Sequence, residues 1–189
     1  MVFNCTKKTK ERFHINYFEE DKSEIDASIK AVILGQINDD LFNWGLKYFS
    51  FDGRKCLQLL NYKTKFNLYI FDLKVSDVNK IPDLITFYLF ELYKDDREVI
   101  YLLNKYVREY PFSIFTKITN KSTISSLNLN EDYFMMKTER FWDYFEGNTL
   151  NTIEINRDAN WHNFVTINKS KHYIKPANAF REALIERYK

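Results

Sequence analysis

The chain has 189 residues, a formal net charge of +2 and 45% hydrophobic residues, the proportions of a globular protein able to bury a sizeable core. Seventeen Phe, thirteen Tyr and three Trp stand against four Gly and three Pro. That much aromatic area offsets the entropy of ordering and excludes a disordered or Gly/Pro-rich chain. The near balance of charge gives no bulk attraction to nucleic acid and leaves only a local basic patch to consider.

In chain order, Val2–Cys5 reads as a first strand, and Thr6 caps a basic helical turn through Phe13. In Ser23–Leu34, the spacing of Ile25, Ile29, Val32 and Ile33 predicts one apolar helix face, with Ser23 as N-cap and Gly35 just past the end. Phe42, Trp44, Leu46 and Tyr48 alternate as a strand does. Asp52-Gly53 is a strong hairpin signal, with Lys55–Leu60 returning. Asn61–Thr64 is a polar turn, and Lys65–Phe71 is bulky on both faces, which predicts a central, doubly covered strand. These three strands form an antiparallel meander.

A helix pair follows. Pro82 suits its first turn, Asp95-Asp96 breaks it, and Val99, Leu103, Tyr106, Val107 and Tyr110 mark the second helix up to Pro111. Phe112–Ile118 alternates as a strand, and Ser122 or Thr123 starts a short helical turn. Asn130–Phe145 reads as a helix with the stripe Phe134, Phe141 and Phe145, and Gly147 lies beyond it. Thr152–Asn156 and Phe164–Ile167 are weak strands, and Pro176–Tyr188 is a closing amphipathic helix. The expected fold class is α+β. One domain over residues 1–189 has an antiparallel sheet of four to six strands, covered by the helix pair and the C-terminal helix, with a helical embellishment at 17–40.

Met1–Cys5 has no apolar signal core and precedes a basic stretch, so no secretory leader is expected. No apolar run is long enough to span a bilayer. A cytoplasmic setting follows, with Cys5 and Cys56 as reduced, buried thiols. The Asn, Lys, Ile, Tyr and Phe bias points to a low-GC bacterium or its phage.

Several short patterns occur in order. They are Asn4-Cys5-Thr6-Lys7-Lys8, the hairpin Asp52-Gly53-Arg54-Lys55-Cys56, the turn Asn61-Tyr62-Lys63-Thr64, and Thr119-Asn120-Lys121-Ser122. The tail adds Tyr173-Ile174-Lys175-Pro176 and Ala179-Phe180-Arg181-Glu182-Ala183-Leu184. This series resembles a bacterial and phage family catalogued as domain of unknown function 6933. Gly53 stands where that family more often has Arg, and the resemblance fades at Asn16–Asp40 and Glu139–His162. It implies a compact α+β domain and carries over no catalytic residues.

Three kinds of site are weighed on the residues themselves. Lys7, Lys8, Lys10 and Arg12, with Arg54, Lys55 and Lys63, are candidates for phosphate contact beside Tyr48 or Tyr62, or else an ordinary solvated surface. Asp52 with Asp72-Leu73-Lys74 matches the acid and acid-x-Lys pattern of metal-dependent nucleases, in which two carboxylates hold Mg²⁺ and Lys orients water. Asp52 is also explained by its turn. His14, His162 and His172 show no metal-ligand spacing with Cys5 or Cys56, so no metal and no cofactor is expected. The four scattered Gly assemble no phosphate-binding loop. The aromatic stripes are core by default, yet their number exceeds what one core hides. Phe134, Phe141, Trp142, Tyr144, Phe145 and Trp161 are therefore the candidates for contact with a partner. The resulting reading is a non-enzymatic binding or regulatory protein acting on a macromolecular, preferably protein, partner in a phage or host-defence setting. A nucleic-acid binder, or a nuclease using Asp52, Asp72 and Lys74, is the alternative. No membrane association is expected, and oligomeric state is open.

Overall fold

The computed structural model describes residues 1–19, 25–51, 53–136, 144–166 and 173–189. β1 (Val2–Cys5) leads into α1 (Lys7–Phe13), where Thr6 accepts from the Thr9 N–H as N-cap. α2 is Ala27–Ile37, capped by Asp26, which accepts from the Ser28 N–H at 2.8 Å. The predicted cap Ser23 lies outside the described residues, and Gly35 sits inside the helix instead of after it.

β2 (Asn43–Phe51), β3 (Arg54–Asn61) and β4 (Asn67–Phe71) form the expected meander. Phe51 pairs with Arg54, and Gly53 between them takes φ +74°, a left-handed conformation that glycine adopts without steric cost. Two findings change the predicted sheet. β1 pairs parallel with β2 on one side and with β5 (Ile114–Lys117) on the other, so the sheet is mixed, in the order β4-β3-β2-β1-β5. β4 is consequently an edge strand and not a central one. Its bulk on both faces comes from layers above and below it, not from strands on both sides.

One face of the sheet carries Phe3, Trp44, Leu46, Leu59 and Leu68. It packs on α3 (Ile81–Leu92), α4 (Arg97–Glu109) and the C-terminal helix through Ile85, Leu89, Leu103 and Phe180. Trp44 is fully buried there, and its indole N–H donates to the Tyr106 hydroxyl, which donates onward to the Leu41 carbonyl, both at 3.1 Å. The polar atoms of both side chains are thereby satisfied inside the core. The other face is covered by α5 (Lys121–Met136). Leu127 packs on Leu60, and the Phe134 ring meets Phe49, Phe51 and Tyr69. Asn120 begins this helix by accepting from the Thr123 N–H at 2.9 Å.

The stretch from 121 to 161 departs most from expectation. The helix predicted over Asn130–Phe145 runs over Lys121–Met136, and Phe141 and Trp142 lie outside the described residues. Phe145–Glu146 and Thr149–Leu150 pair as a small ribbon, β6 and β7, around Gly147 at φ +62°. The predicted strand Thr152–Asn156 is the first half of helix α6 (Thr152–Trp161), whose N-cap Asn151 accepts from the Glu154 N–H at 3.0 Å. β8 (Val165–Thr166) and β9 (Tyr173–Ile174) form a second ribbon before α7 (Pro176–Tyr188).

α6 lies along the free edge of β4 and satisfies its backbone with two asparagines. Asn156 accepts from the Tyr69 N–H at 2.7 Å and donates to the Tyr69 carbonyl at 3.0 Å. Asn160 does the same for Asn67 at 2.8 and 2.6 Å. The spacing works because four helical residues rise about 6 Å and two strand residues about 6.8 Å. The edge is thereby closed to further strand addition.

Candidate functional site

The β4 edge, α5 and the end of α6 enclose a cleft of about 370 Å³. Its lining takes Lys65 and Asn67 from around the start of β4, Leu129, Asn130 and Tyr133 from α5, and Asn163 and Phe164 from beyond α6. The Tyr69 hydroxyl donates to the Asn130 carbonyl at 3.2 Å and ties α5 to β4.

A smaller adjoining pocket carries Tyr133, Phe134, Tyr144 and Asp158. There the Tyr144 hydroxyl donates to Asp158 Oδ2, and Asp158 Oδ1 meets His162 Nδ1 at 2.6 Å. Asp158 thus orients the imidazole at the C-terminal end of α6. Lys65 holds an uncommon backbone angle, φ +59°, with its N–H donating to the Asn61 carbonyl at 3.0 Å. Burial lowers its ammonium below the ordinary lysine value, and the Asp40 charge offsets part of that.

The basic residues named from the sequence do not converge. Lys8 and Arg12 both stand over the Tyr48 ring, at 5.5 and 5.7 Å, and Lys10 stands over Tyr17 at 4.6 Å. Lys7 is near Glu11 at 3.8 Å, and Lys63 pairs with Glu186 at 2.8 Å. The Tyr48 ring is therefore already in contact with protein cations, and the Tyr62 hydroxyl is buried. Arg54 binds the Asp72 carboxylate at 2.7 Å, beside the exposed Lys55. Asp72 adopts φ +54°, and its carboxylate also accepts from the Lys55 N–H at 3.3 Å. Lys74 is exposed just before the 3-10 turn Val75–Lys80. Asp52 lies outside the described residues, as does His172.

Among the described residues no group of three His, Cys, Asp or Glu is placed to hold a metal. Cys5 and Cys56 are fully buried, and burial pushes both thiols up to about 12. A thiol so rarely ionised is a poor nucleophile. Labelling with a thiol-reactive disulfide reagent is expected to be negligible in the native protein and to reach two equivalents in denaturant. Fast labelling of either thiol in the native state would contradict this burial.

Of the aromatics named as partner contacts, Phe134, Tyr144 and Phe145 pack on the second apolar cluster, and Trp161 on the main core against Phe66 and Tyr93. All four are half-buried. The large apolar side chains that do face solvent here are Leu129 (68%), Tyr133 (44%), Met136 (83%), Phe164 (61%) and Tyr173 (73%). Leu129, Tyr133 and Met136 lie at i, i+4, i+7, one stripe of α5 turned away from Leu127. Sequence reasoning missed these five. Their one available signal was that spacing, which a helix starting at Lys121 would have revealed. Among the described residues, no helix is long and apolar enough to cross a membrane.

Fold and site define an α+β protein on a five-stranded mixed sheet, with a ligand-sized cleft at its β4 edge. The model of the family described as domain of unknown function (DUF6933) matches residues 2–179, and the chain belongs to that family. The match runs across both segments where the resemblance was expected to fade. No curated protein matches the sequence.

Proposed function

We propose that the protein is a non-enzymatic binding or regulatory protein that engages a protein partner through the face formed by α5 and the β8–β9 ribbon. The supporting observation is the grouping of exposed apolar side chains there. Of the nine large hydrophobics exposed among the described residues, four belong to that helix stripe and ribbon and a fifth, Phe164, directly precedes the ribbon. Solvated apolar groups collected on one face mark interaction surfaces more than scattered ones do, and aromatic and Met residues are enriched in interface cores. A cytoplasmic setting, in a low-GC bacterium or its phage, belongs to this proposal and rests on composition.

The test is affinity capture from cells that express the protein natively. A stoichiometric protein is expected with the wild type. Its recovery should fall at least tenfold, about 1.4 kcal/mol of binding, with Met136→Glu, while the unfolding midpoint is unchanged. Undiminished recovery with that variant overturns the reading. Loss caused instead by Lys8→Glu with Arg12→Glu, or by nuclease treatment of the lysate, transfers the function to the α1 surface and nucleic acid.

A further inference from the structure

We propose that the cleft beside β4 binds a small organic anion with an aromatic body, its charged group held at Lys65 and its ring against Tyr133 and Phe164. The proposal goes beyond the partner-docking reading and does not depend on it. Its first support is size, since about 370 Å³ is within the range of pockets that enclose small ligands.

The second support is the state of Lys65. Several other cations of the fold have carboxylate partners: Lys63 has Glu186, Arg181 has Asp96 and Glu98, and Arg187 has Asp39 and Glu109. Lys65 has no carboxylate at ion-pair distance among the described residues, although it is partly withdrawn from water. The Asp40 charge, beyond ion-pair distance, offsets only part of the cost of that desolvation, and an anion in the cleft would offset more of it. Its left-handed backbone angle adds a local strain of the kind found at ligand sites.

The third support is the polarity of the lining. Asn67 Oδ1 accepts from Gln58 at 3.1 Å, so what Asn67 turns to its other neighbours, the Tyr69 hydroxyl among them, is its amide N–H₂, a donor. Asn130 and Asn163 add amides to the lining. Of the acids nearby, Asp158 is engaged by Tyr144 and His162, and Asp40 acts on Lys65 from beyond ion-pair distance. Lys175 stands 5.7 Å from the Phe164 ring centroid, which places a second cation beside an aromatic of the lining. Amide groups and an ammonium in one lining with Leu129, Tyr133 and Phe164 match a ligand that carries both a charged group and an apolar body.

The experiment is a titration followed by backbone amide NMR, using phenyl phosphate, phenylacetate, benzyl alcohol and inorganic phosphate on the full chain. At least one of the two organic anions is expected to give saturable shifts at Asn67, Asn130, Tyr133 and Asn163. The tighter of the two identifies the headgroup. Benzyl alcohol and inorganic phosphate should bind about tenfold more weakly, because each lacks one half of the match. Lys65→Met should weaken the organic anion by about tenfold or more, with Lys65→Arg retaining most of the affinity. If Lys65→Met does not fold, Phe164→Ala and Lys175→Met serve instead, and each should weaken binding. Equal binding of benzyl alcohol, unaltered affinity in the variants, shifts confined to α1, or no saturable shifts with either organic anion would overturn the proposal. Met136→Glu should leave anion binding intact, which separates its failure from that of the partner-docking reading.

Discussion

Replacing Asn156 by Ala is expected to lower the unfolding free energy by about 2–4 kcal/mol, one of the largest single-site effects on this fold. The change strands the Tyr69 N–H and carbonyl at a buried strand edge, and each unsatisfied group costs about 1–3 kcal/mol. Asn160→Ala should behave alike through Asn67. The double variant should lose less than the sum, because removing either amide already loosens the same helix from the same edge. Asn156→Asp separates the two halves of the role. Its carboxylate still accepts from the Tyr69 N–H but faces the Tyr69 carbonyl with no donor, so it should be no better than Ala. Urea unfolding measures all four variants. Losses below about 0.5 kcal/mol for both single variants would show that water replaces the amides, and the clamp would then contribute nothing net.

Gly45→Ala is expected to cost about 1–3 kcal/mol by overpacking. Gly45 lies in β2 directly beneath α5. A Cβ built there falls 2.7 Å from Thr123 Cγ2 and 3.2 Å from Leu127 Cδ1. Thr123 is fully buried and stiff at χ1, so its methyl gives way only by displacing its neighbours. The strain must lift α5 from the sheet or twist the strand. Thr123→Ser removes the offending methyl and keeps the hydroxyl, and in the Gly45→Ala background it should recover at least half of the loss. A double-mutant cycle by urea unfolding reads that coupling. Additive behaviour would show that the clash is relieved elsewhere. Since α5 lines the cleft, the same variant should also weaken organic-anion binding, linking the packing beneath the helix to the site above it.

Much of the local structure was legible in the residues. Thr6 before a helical turn, Gly53 between alternating strands, Asp95-Asp96 as a break between two helices and Pro111 as a stop each act within a few residues, and each stands where expected. What failed was decided by distant partners. Thr152-Ile153-Glu154-Ile155 has the composition of a strand, but Asn156 and Asn160 reach the β4 edge together only at helical spacing, and Ile155 then packs with Phe49 and Tyr69. The reading of residues 130–145 as one helix followed its apolar stripe. Asn120 began the helix earlier, and the Gly147 turn imposed a strand pair on its expected end.

The candidate site shows the same division. Sequence alone identified an aromatic surplus and pointed to the region after residue 130. It placed Phe134 outward, where the helix turns it inward onto Phe49 and Tyr69 and presents Tyr133, one residue and about 100° away, to the cleft. The composition, the caps and the strand alternation by themselves determined an α+β chain with a three-stranded meander and its covering helices. Only the tertiary structure decided that β1 enters in parallel between β2 and β5, that β4 becomes an edge, and that Lys65 is left half-desolvated beside it. Each of those depends on contacts between residues far apart in the chain, which no local pattern encodes.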